Sequence, residues 1–317
     1  MKILEIQNLV MYYKTMKGYV KAVDNVSFDV EKGEAMGLVG ESGCGKTTIG
    51  MSILRLLPSN AEVQSGEILF KNGNLLQLPE KEMQKVRWKG ISMIFQAAMN
   101  ALNPVHRIEN QIVEAIKTHE NVPKEEARER VAQLYELVGL DPERAKDYPH
   151  EYSGGMKQRA VIAMALACNP DIIIADEPTT ALDVIVQDQI ISEIKRLQKE
   201  LHMTMIYISH DISVIAESCE RIAVMYAGIL AEYANAADLF KNPLHPYTQA
   251  LMNSFPSIKG PKKRLIPVPG EPPNLLNPPP GCRFHPRCPV ATDVCKRVVP
   301  EFTEYENRHW AACHALG

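Results

Sequence analysis

The sequence predicts an α/β fold organised around a phosphate-binding loop, and three observations carry that prediction. The apolar run Ala35 to Val39 leads into Gly40-Glu41-Ser42-Gly43-Cys44-Gly45-Lys46-Thr47, which fits G-x-x-x-x-G-K-[ST], and then into a helical stretch. A second apolar run, Asp171 to Ala175, ends in the carboxylate pair Asp176-Glu177. The apolar period alternates over residues 1 to about 75, turns helical from about Glu80 to Ala167, and returns to strand, helix, strand over residues 171 to 234.

The elements follow in order. Strands are expected at Leu4 to Gln7, Val26 to Val30, Ala35 to Val39 and Glu67 to Phe70, interrupted by the helix after the loop. Pro149 and Ser153-Gly154-Gly155 break the helical region, which places Gln96 and the Ser-Gly-Gly segment at opposite ends of a helical lobe. The chain carries no internal repeat.

The loop composition points to its chemistry. Backbone N–H groups over Gly40, Ser42, Gly43, Cys44 and Gly45 can curl around phosphate oxygens, and the helix N-terminus that continues into Thr48 adds its positive dipole end. Lys46 is placed to reach the β- and γ-phosphates and Thr47 to ligate Mg²⁺, so a nucleoside triphosphate is the expected ligand. Downstream, Asp176 suits Mg²⁺ coordination and Glu177 polarisation of the attacking water. Ser153-Gly154-Gly155-Met156-Lys157-Gln158-Arg159 opens the apolar helical stretch Val161, Ile162, Met164, Ala165, Leu166 and offers a second helix N-terminus to phosphate. Taken singly, a strand ending in acids and a Ser-Gly-Gly turn are both common without such chemistry.

Together these segments resemble the ATP-binding subunits of ABC transporters. Residues 153–159 match that family's signature, and Pro178-Thr179-Thr180-Ala181-Leu182-Asp183 resembles its D-loop. His210, within Tyr207-Ile208-Ser209-His210-Asp211, falls at the switch histidine; Gln96, within Met93-Ile94-Phe95-Gln96, falls at the lid glutamine. Tyr13 falls at the aromatic that stacks on adenine, with Tyr12 beside it as a rival. Two residues depart from the pattern: Tyr152 stands where Leu is usual, and Met156 where Gln is frequent.

The resemblance implies a P-loop NTPase (RecA-like) core with an antiparallel β subdomain and a helical signature subdomain. It also implies a head-to-tail pair of ATPases sharing two sites. Lys46, Thr47, Asp176 and Mg²⁺ would hold the phosphates, Glu177 would act as base, His210 would contact the γ-phosphate, and Gln96 would sense the metal and the membrane partner. Ser153, Gly154, Gly155 and Met156 would serve the partner's ATP.

Composition sets the remaining bounds. The 317 residues suit one ATPase core plus an appendage, and 45% hydrophobic with 23% charged residues is ordinary for a globular chain. No apolar run approaches the ~20 residues that span a bilayer, and Met1-Lys2-Ile3-Leu4-Glu5-Ile6 alternates like a strand rather than a signal peptide. A peripheral position on the cytoplasmic face of the membrane is expected. The formal net charge of -3 gives no reason to expect nucleic acid, and Lys262-Lys263-Arg264, the densest basic spot, reads as a solvated linker.

The last seventy or so residues narrow the resemblance. His245-Pro246-Tyr247-Thr248-Gln249-Ala250-Leu251 leads into Pro267, Pro269, Pro272, Pro273, Pro278, Pro279 and Pro280, then Gly281-Cys282-Arg283-Phe284-His285-Pro286-Arg287-Cys288-Pro289. This is similar to the C-terminal extension of the dipeptide, oligopeptide and nickel importer ATPases. It implies a nucleotide-binding domain over residues 1–245, with a helical subdomain at about 80–167, and an irregular Cys/Pro-rich extension over 246–317. It implies as partners a second ATPase in a heterodimer, two membrane permeases and an extracytoplasmic solute-binding protein. Peptides are the leading cargo, with nickel complexes or oligosaccharides as alternatives. A different class, a nucleotide-gated metal or redox sensor, would make the tail the main function; an ABC protein of DNA repair or translation would carry a coiled-coil insertion or a second cassette, and neither is found here.

Cys282, Cys288, Cys295 and Cys313, four of seven cysteines, lie in this tail at spacings C-x5-C-x6-C-x17-C. A reducing compartment disfavours disulfides, and the Pro-rich, polar surroundings offer four separate thiols no obvious core. Zinc, with four thiolates or with His285, His309 or His314 replacing one, remains open, although structural zinc favours close C-x-x-C pairs. Soft thiolates at wider spacing also suit an iron–sulfur cluster, and the resemblance implies a [4Fe–4S] centre that braces the tail. Because no phosphate-loop element lies in the tail, replacing Cys288 is expected to leave nucleotide binding largely intact.

Overall fold

The structure, a computed structural model, describes residues 1–96, 101–180, 182–254, 267–306 and 308–316. Ala181 of the D-loop segment and the Lys262-Lys263-Arg264 spot lie outside the described residues. The chain divides into two compact units, one made of Met1–Glu31, Ala35–Leu76 and Ile208–Gly317, the other of Lys32–Glu34 and Gln77–Tyr207.

The first unit opens with a long hairpin of β1 (Lys2–Thr15) and β2 (Gly18–Glu31), closed where Thr15 Oγ1 donates to Gly18 O at 2.7 Å. Both strands extend well past the short runs the alternation predicts. Register shifts along the pair and a left-handed Asn8 (φ 48°) put bulges into β1, and each bulge resets which residues face inward. Then come β3 (Ala35–Val39), α1 (Lys46–Ile53), β4 (Ala61–Phe70) and β5 (Gly73–Asn74). An antiparallel sheet in the order β2-β1-β4-β5 forms one layer, buried through Ile3, Leu4, Ile6, Leu9 and Met11 of β1.

The second unit holds the helical lobe: α2 (Glu80–Val86), β6 (Ile91–Ile94), α3 (Ile108–His119), α4 (Lys124–Leu137) and α5 (Gly154–Leu166). It continues through β7 (Ile172–Asp176), α6 (Val184–Glu200) and most of β8 (Thr204–Ser209). Its strands lie in the order β8-β7-β6, with β6 and β7 parallel. Every residue of these three strands is buried, which explains why they read as continuous apolar runs without alternation. The lobe packs Ile108, Ile112 and Ile116 of α3 with Val131, Leu134 and Tyr135 of α4, and Trp88 Nε1 donates to Met164 O at 2.9 Å.

The chain then returns to the first unit with α7 (Ile212–Ser218), β9 (Arg221–Tyr226), β10 (Ile229–Asn235), α8 (Ala236–Lys241) and α9 (Pro246–Asn253). It ends with β11 (Thr303–Glu306) and β12 (His309–Ala311). β9 runs parallel to β3 and antiparallel to β10, so the strand order within this unit is β11-β12-β10-β9-β3. The extension is irregular over most of its described length, yet its end adds to the sheet: Glu232 pairs with Ala311 and Tyr233 with Trp310. It also has a core, since Phe284 is buried against Tyr226 and Tyr247 with ring centroids 5.1 and 5.4 Å away. Among the described residues, no helix is long and apolar enough to cross a membrane.

Candidate active site

In the first unit, β3 delivers the chain into the phosphate loop and α1 carries it away. Gly45, the N-cap of α1, has φ 109°, and a Cβ there would lie 2.1 Å from Ala22 O, so only glycine fits this close approach of two backbones. Gly43 also has a left-handed φ of 78°, but a Cβ built on it meets nothing within 4 Å: this stretch faces open space. Ser42, Gly43 and Thr47 are exposed, whereas Gly45, Lys46 and Thr48 are buried. Lys46 Nζ donates to Gly40 O at 2.7 Å and Glu41 O at 3.0 Å, holding the ammonium against its own loop, where an incoming phosphate can compete for it. Burial pushes the neighbouring Cys44 thiol up, against the pull of Lys46, and keeps it neutral.

The two candidate aromatics separate clearly. Tyr13 Oη lies 3.1 Å from Thr48 Oγ1 and so reaches the helix that follows the loop. Tyr12 donates instead to Asp24 Oδ1 at 2.8 Å, and burial, with that bond, raises its phenol to about 12. His210 is exposed just past β8, where Ser209 Oγ accepts the Asp211 N–H at 2.9 Å.

In the second unit, Asp176 closes β7 and is buried, and Glu177 follows at φ 45°. A non-glycine residue held there costs energy, and the surroundings fix it: Gln96 Nε2 donates to Glu177 Oε2 at 2.9 Å and Thr180 Oγ1 lies 3.1 Å from the same oxygen. The structure therefore brings Gln96 and Glu177 together across 81 positions of sequence. Ser153 is the N-cap of α5, its Oγ accepting the Met156 N–H at 3.3 Å, with Gly154 and Gly155 in the first turn. A Cβ on Gly155 would stand 3.0 Å from Val186 Cγ1 of α6. The unusual Tyr152 is accommodated by burial of its ring, with Oη donating to Arg144 O at 2.7 Å and 3.0 Å from Tyr135 Oη. Asp183 caps α6 by accepting the Val186 N–H at 3.0 Å.

A family profile described as "ABC transporter" matches residues 23–180, and one described as "Oligopeptide/dipeptide transporter, C-terminal region" matches residues 231–295. Among curated proteins, the dipeptide transport ATP-binding protein DppD of Bacillus subtilis is 49% identical over 98% of this chain and 94% of its own length. The chain belongs to the ABC transporter ATP-binding family. Its other relatives include the oligopeptide transport ATP-binding protein OppD of Escherichia coli, 44% identical over 95% of this chain and 90% of that protein. A solved dimeric ATP-binding cassette, in a post-hydrolysis state bound to ADP and phosphate, superposes with a TM-score of 0.66 at 30% identity, covering 74% of this chain and 98% of that one. As a member of this ATPase family, the chain binds and hydrolyses ATP.

The tail departs from expectation in two ways. Cys282 and Cys295 are buried, Cys288 and Cys313 half-buried, none forms a disulfide, and Cys282 N donates to Cys295 O at 2.8 Å. Burial raises the Cys282 thiol to about 11, and the other three cysteines each add to the rise, so the four share one neighbourhood. Yet among the described residues no group of three or more His, Cys, Asp or Glu is placed to hold a metal ion. His309, a candidate zinc ligand, lies instead 2.6 Å from buried Glu232, and His314 Nε2 lies 2.9 Å from Val298 O.

The second departure concerns the loop. Glu41 is paired with Arg287, and its N–H donates to Tyr247 Oη at 3.0 Å, so the extension does contact the phosphate loop, and the absence of loop elements from the tail no longer argues that replacing Cys288 leaves nucleotide binding largely intact. No local sequence signal marks these contacts, because their partners lie more than 200 positions apart.

Proposed function

We propose that the chain hydrolyses ATP to drive the uptake of dipeptides or oligopeptides, working on the cytoplasmic face of the membrane. In this reading it pairs with a second ABC ATPase as a heterodimer, on two permeases fed by an extracytoplasmic solute-binding protein. The observation that carries it is near full-length similarity to proteins named for dipeptide transport, which extends through the C-terminal region. Residues 1–245 act as the nucleotide-binding domain and 246–317 as the extension. Lys46 and the loop N–H groups hold the β- and γ-phosphates, Thr47, Gln96 and Asp176 attend Mg²⁺, Tyr13 stacks on adenine, and His210 meets the γ-phosphate. Glu177 takes the proton from the attacking water, and Ser153, Gly154, Gly155 and Met156, with Asp183, act toward the partner's nucleotide.

The test is uptake of a labelled dipeptide by cells lacking the chain. Restoration by the parent but not by Glu177→Gln, with turnover reduced on the order of a hundredfold or more, is the expected result. Normal peptide uptake in the deletion strain, with nickel or oligosaccharide uptake lost instead, would reassign the cargo.

We propose further that the four tail cysteines hold a [4Fe–4S] cluster. Their shared neighbourhood, with Cys282 N donating to Cys295 O at 2.8 Å and no disulfide among the four, supports this. When bound, the cluster would cross-link a tail held together by few strands; Cys282, Cys288, Cys295 and Cys313 would ligate it as thiolates. Anaerobic purification should yield about four irons and four sulfides per chain. A colourless protein with one zinc would overturn the assignment.

A further inference from the structure

Glu41 places a carboxylate inside a loop whose ligand is a polyphosphate. Unless that charge is compensated and turned aside, it opposes the ligand. Both tasks fall to the C-terminal extension. The Arg287 guanidinium meets the two Glu41 carboxylate oxygens in a fork, Nη1 to Oε2 at 2.6 Å and Nη2 to Oε1 at 2.8 Å. Its remaining donors are also satisfied: Nε donates to Pro269 O at 2.6 Å, Nη1 reaches Tyr226 Oη at 3.2 Å, and Nη2 reaches Gly270 O at 3.3 Å. The guanidinium lies over the Tyr226 and Phe284 rings, 5.6 and 6.0 Å from their centroids. Arg287 is therefore held in one geometry before Glu41 is counted.

The backbone of the same residue is held as well. Tyr247, wholly buried, accepts the Glu41 N–H, and its ring packs 4.6 Å from that of Tyr226. The Glu41 carbonyl in turn accepts from Lys46 Nζ. Side chain, N–H and C=O of one loop residue are thus all occupied, the first two by groups that sequence places 246 and 206 positions away.

We propose that Arg287 and Tyr247 are positioning residues for the phosphate loop: they act through Glu41, keeping its carboxylate neutralised and its backbone in the shape that receives MgATP. Neither touches the nucleotide. The proposal is independent of which solute the transporter carries, and nucleotide binding to the full chain tests it without any transport assay.

MgATP affinity is measured for the parent, Arg287→Gln, Glu41→Gln and the double variant. Leaving the half-buried Glu41 carboxylate beside the loop without its cation should weaken MgATP about tenfold, more at low salt than at high. In the Glu41→Gln background the same Arg287 change should cost no more than about twofold, because no carboxylate remains to be neutralised. A merely structural role of Arg287 would give equal losses in both backgrounds, and equal losses, or no loss in either, overturn the proposal. If Arg287→Gln does not fold, Arg287→Lys replaces it: it keeps a cation but loses the fork, and an intermediate loss is expected. Tyr247→Phe keeps the buried ring and removes only the acceptor. It should weaken MgATP about threefold with an unchanged unfolding midpoint, and unaltered affinity would refute the backbone half of the proposal.

Discussion

His245 shows how one buried side chain ties the start of the extension to solution conditions. Its Nδ1 accepts the Tyr247 N–H at 3.0 Å, capping α9, and burial depresses its pKa from 6.5 to about 4, partly offset by the nearby Glu232 carboxylate and by the Ala312 backbone. Below pH 6.5 the unfolded chain takes up a proton that the folded chain refuses. The stability it contributes is therefore complete above that value and is lost as pH falls toward 4, about 3 kcal/mol in all for a shift of this size. His245→Asn, which can still cap the helix, should flatten this part of the pH profile. Urea unfolding of both proteins at pH 7 and pH 5 reads the difference directly, and parallel profiles would show that His245 is not the group responsible.

At the scale of elements, β12 carries more than its three residues suggest. It pairs with the edge of β10, Ala312 N donates to Ala231 O at 3.0 Å, and His309 Nε2 sits 2.6 Å from the fully buried Glu232 carboxylate. Ending the chain before Thr303 would bare the β10 edge and leave Glu232, among the described residues, with the Leu244 and His245 N–H donors, each at 2.8 Å. A loss of about 3 kcal/mol or more follows from breaking one side of such a buried contact, with a rise in light scattering as exposed edges associate. A truncated chain within about 1 kcal/mol of the parent would contradict that account.

The hairpin also marks where sequence reading stops. The β3–loop–α1 unit was legible because its chemistry is local: residues 35 to 47 contain the strand, the glycines and the cation in a fixed order. The helix start at Ser153-Gly154-Gly155 is legible for the same reason, whereas the cap that Asp183 makes on α6 is visible only in the structure. By contrast, β1 hides its length behind bulges, and β11 and β12 are too short to alternate, β12 being defined by a partner nearly 80 positions earlier and β11 by β12. Gln96 and Glu177 are each marked by the family resemblance, but their contact is visible only in the structure, since nothing in either local sequence points to the other. The Arg287–Glu41 fork is not legible in the sequence at all: a lone arginine between His285-Pro286 and Cys288 looks like any tail cation until the fold brings it to the loop.

For the molecule as a whole, that fork has a consequence in time. Glu41 is made early, while Arg287 is made 246 residues later, which at typical elongation rates is a delay of roughly 10 to 50 seconds. Throughout that interval the nascent phosphate loop exists without its clamp, and β10, made near its end, waits for β12 for some 70 residues more. A copy interrupted just before Arg287 would carry every motif assigned to the nucleotide and still lack the guanidinium that meets Glu41. Such a copy would also lack β12 and would meet cellular proteases with an open β10 edge.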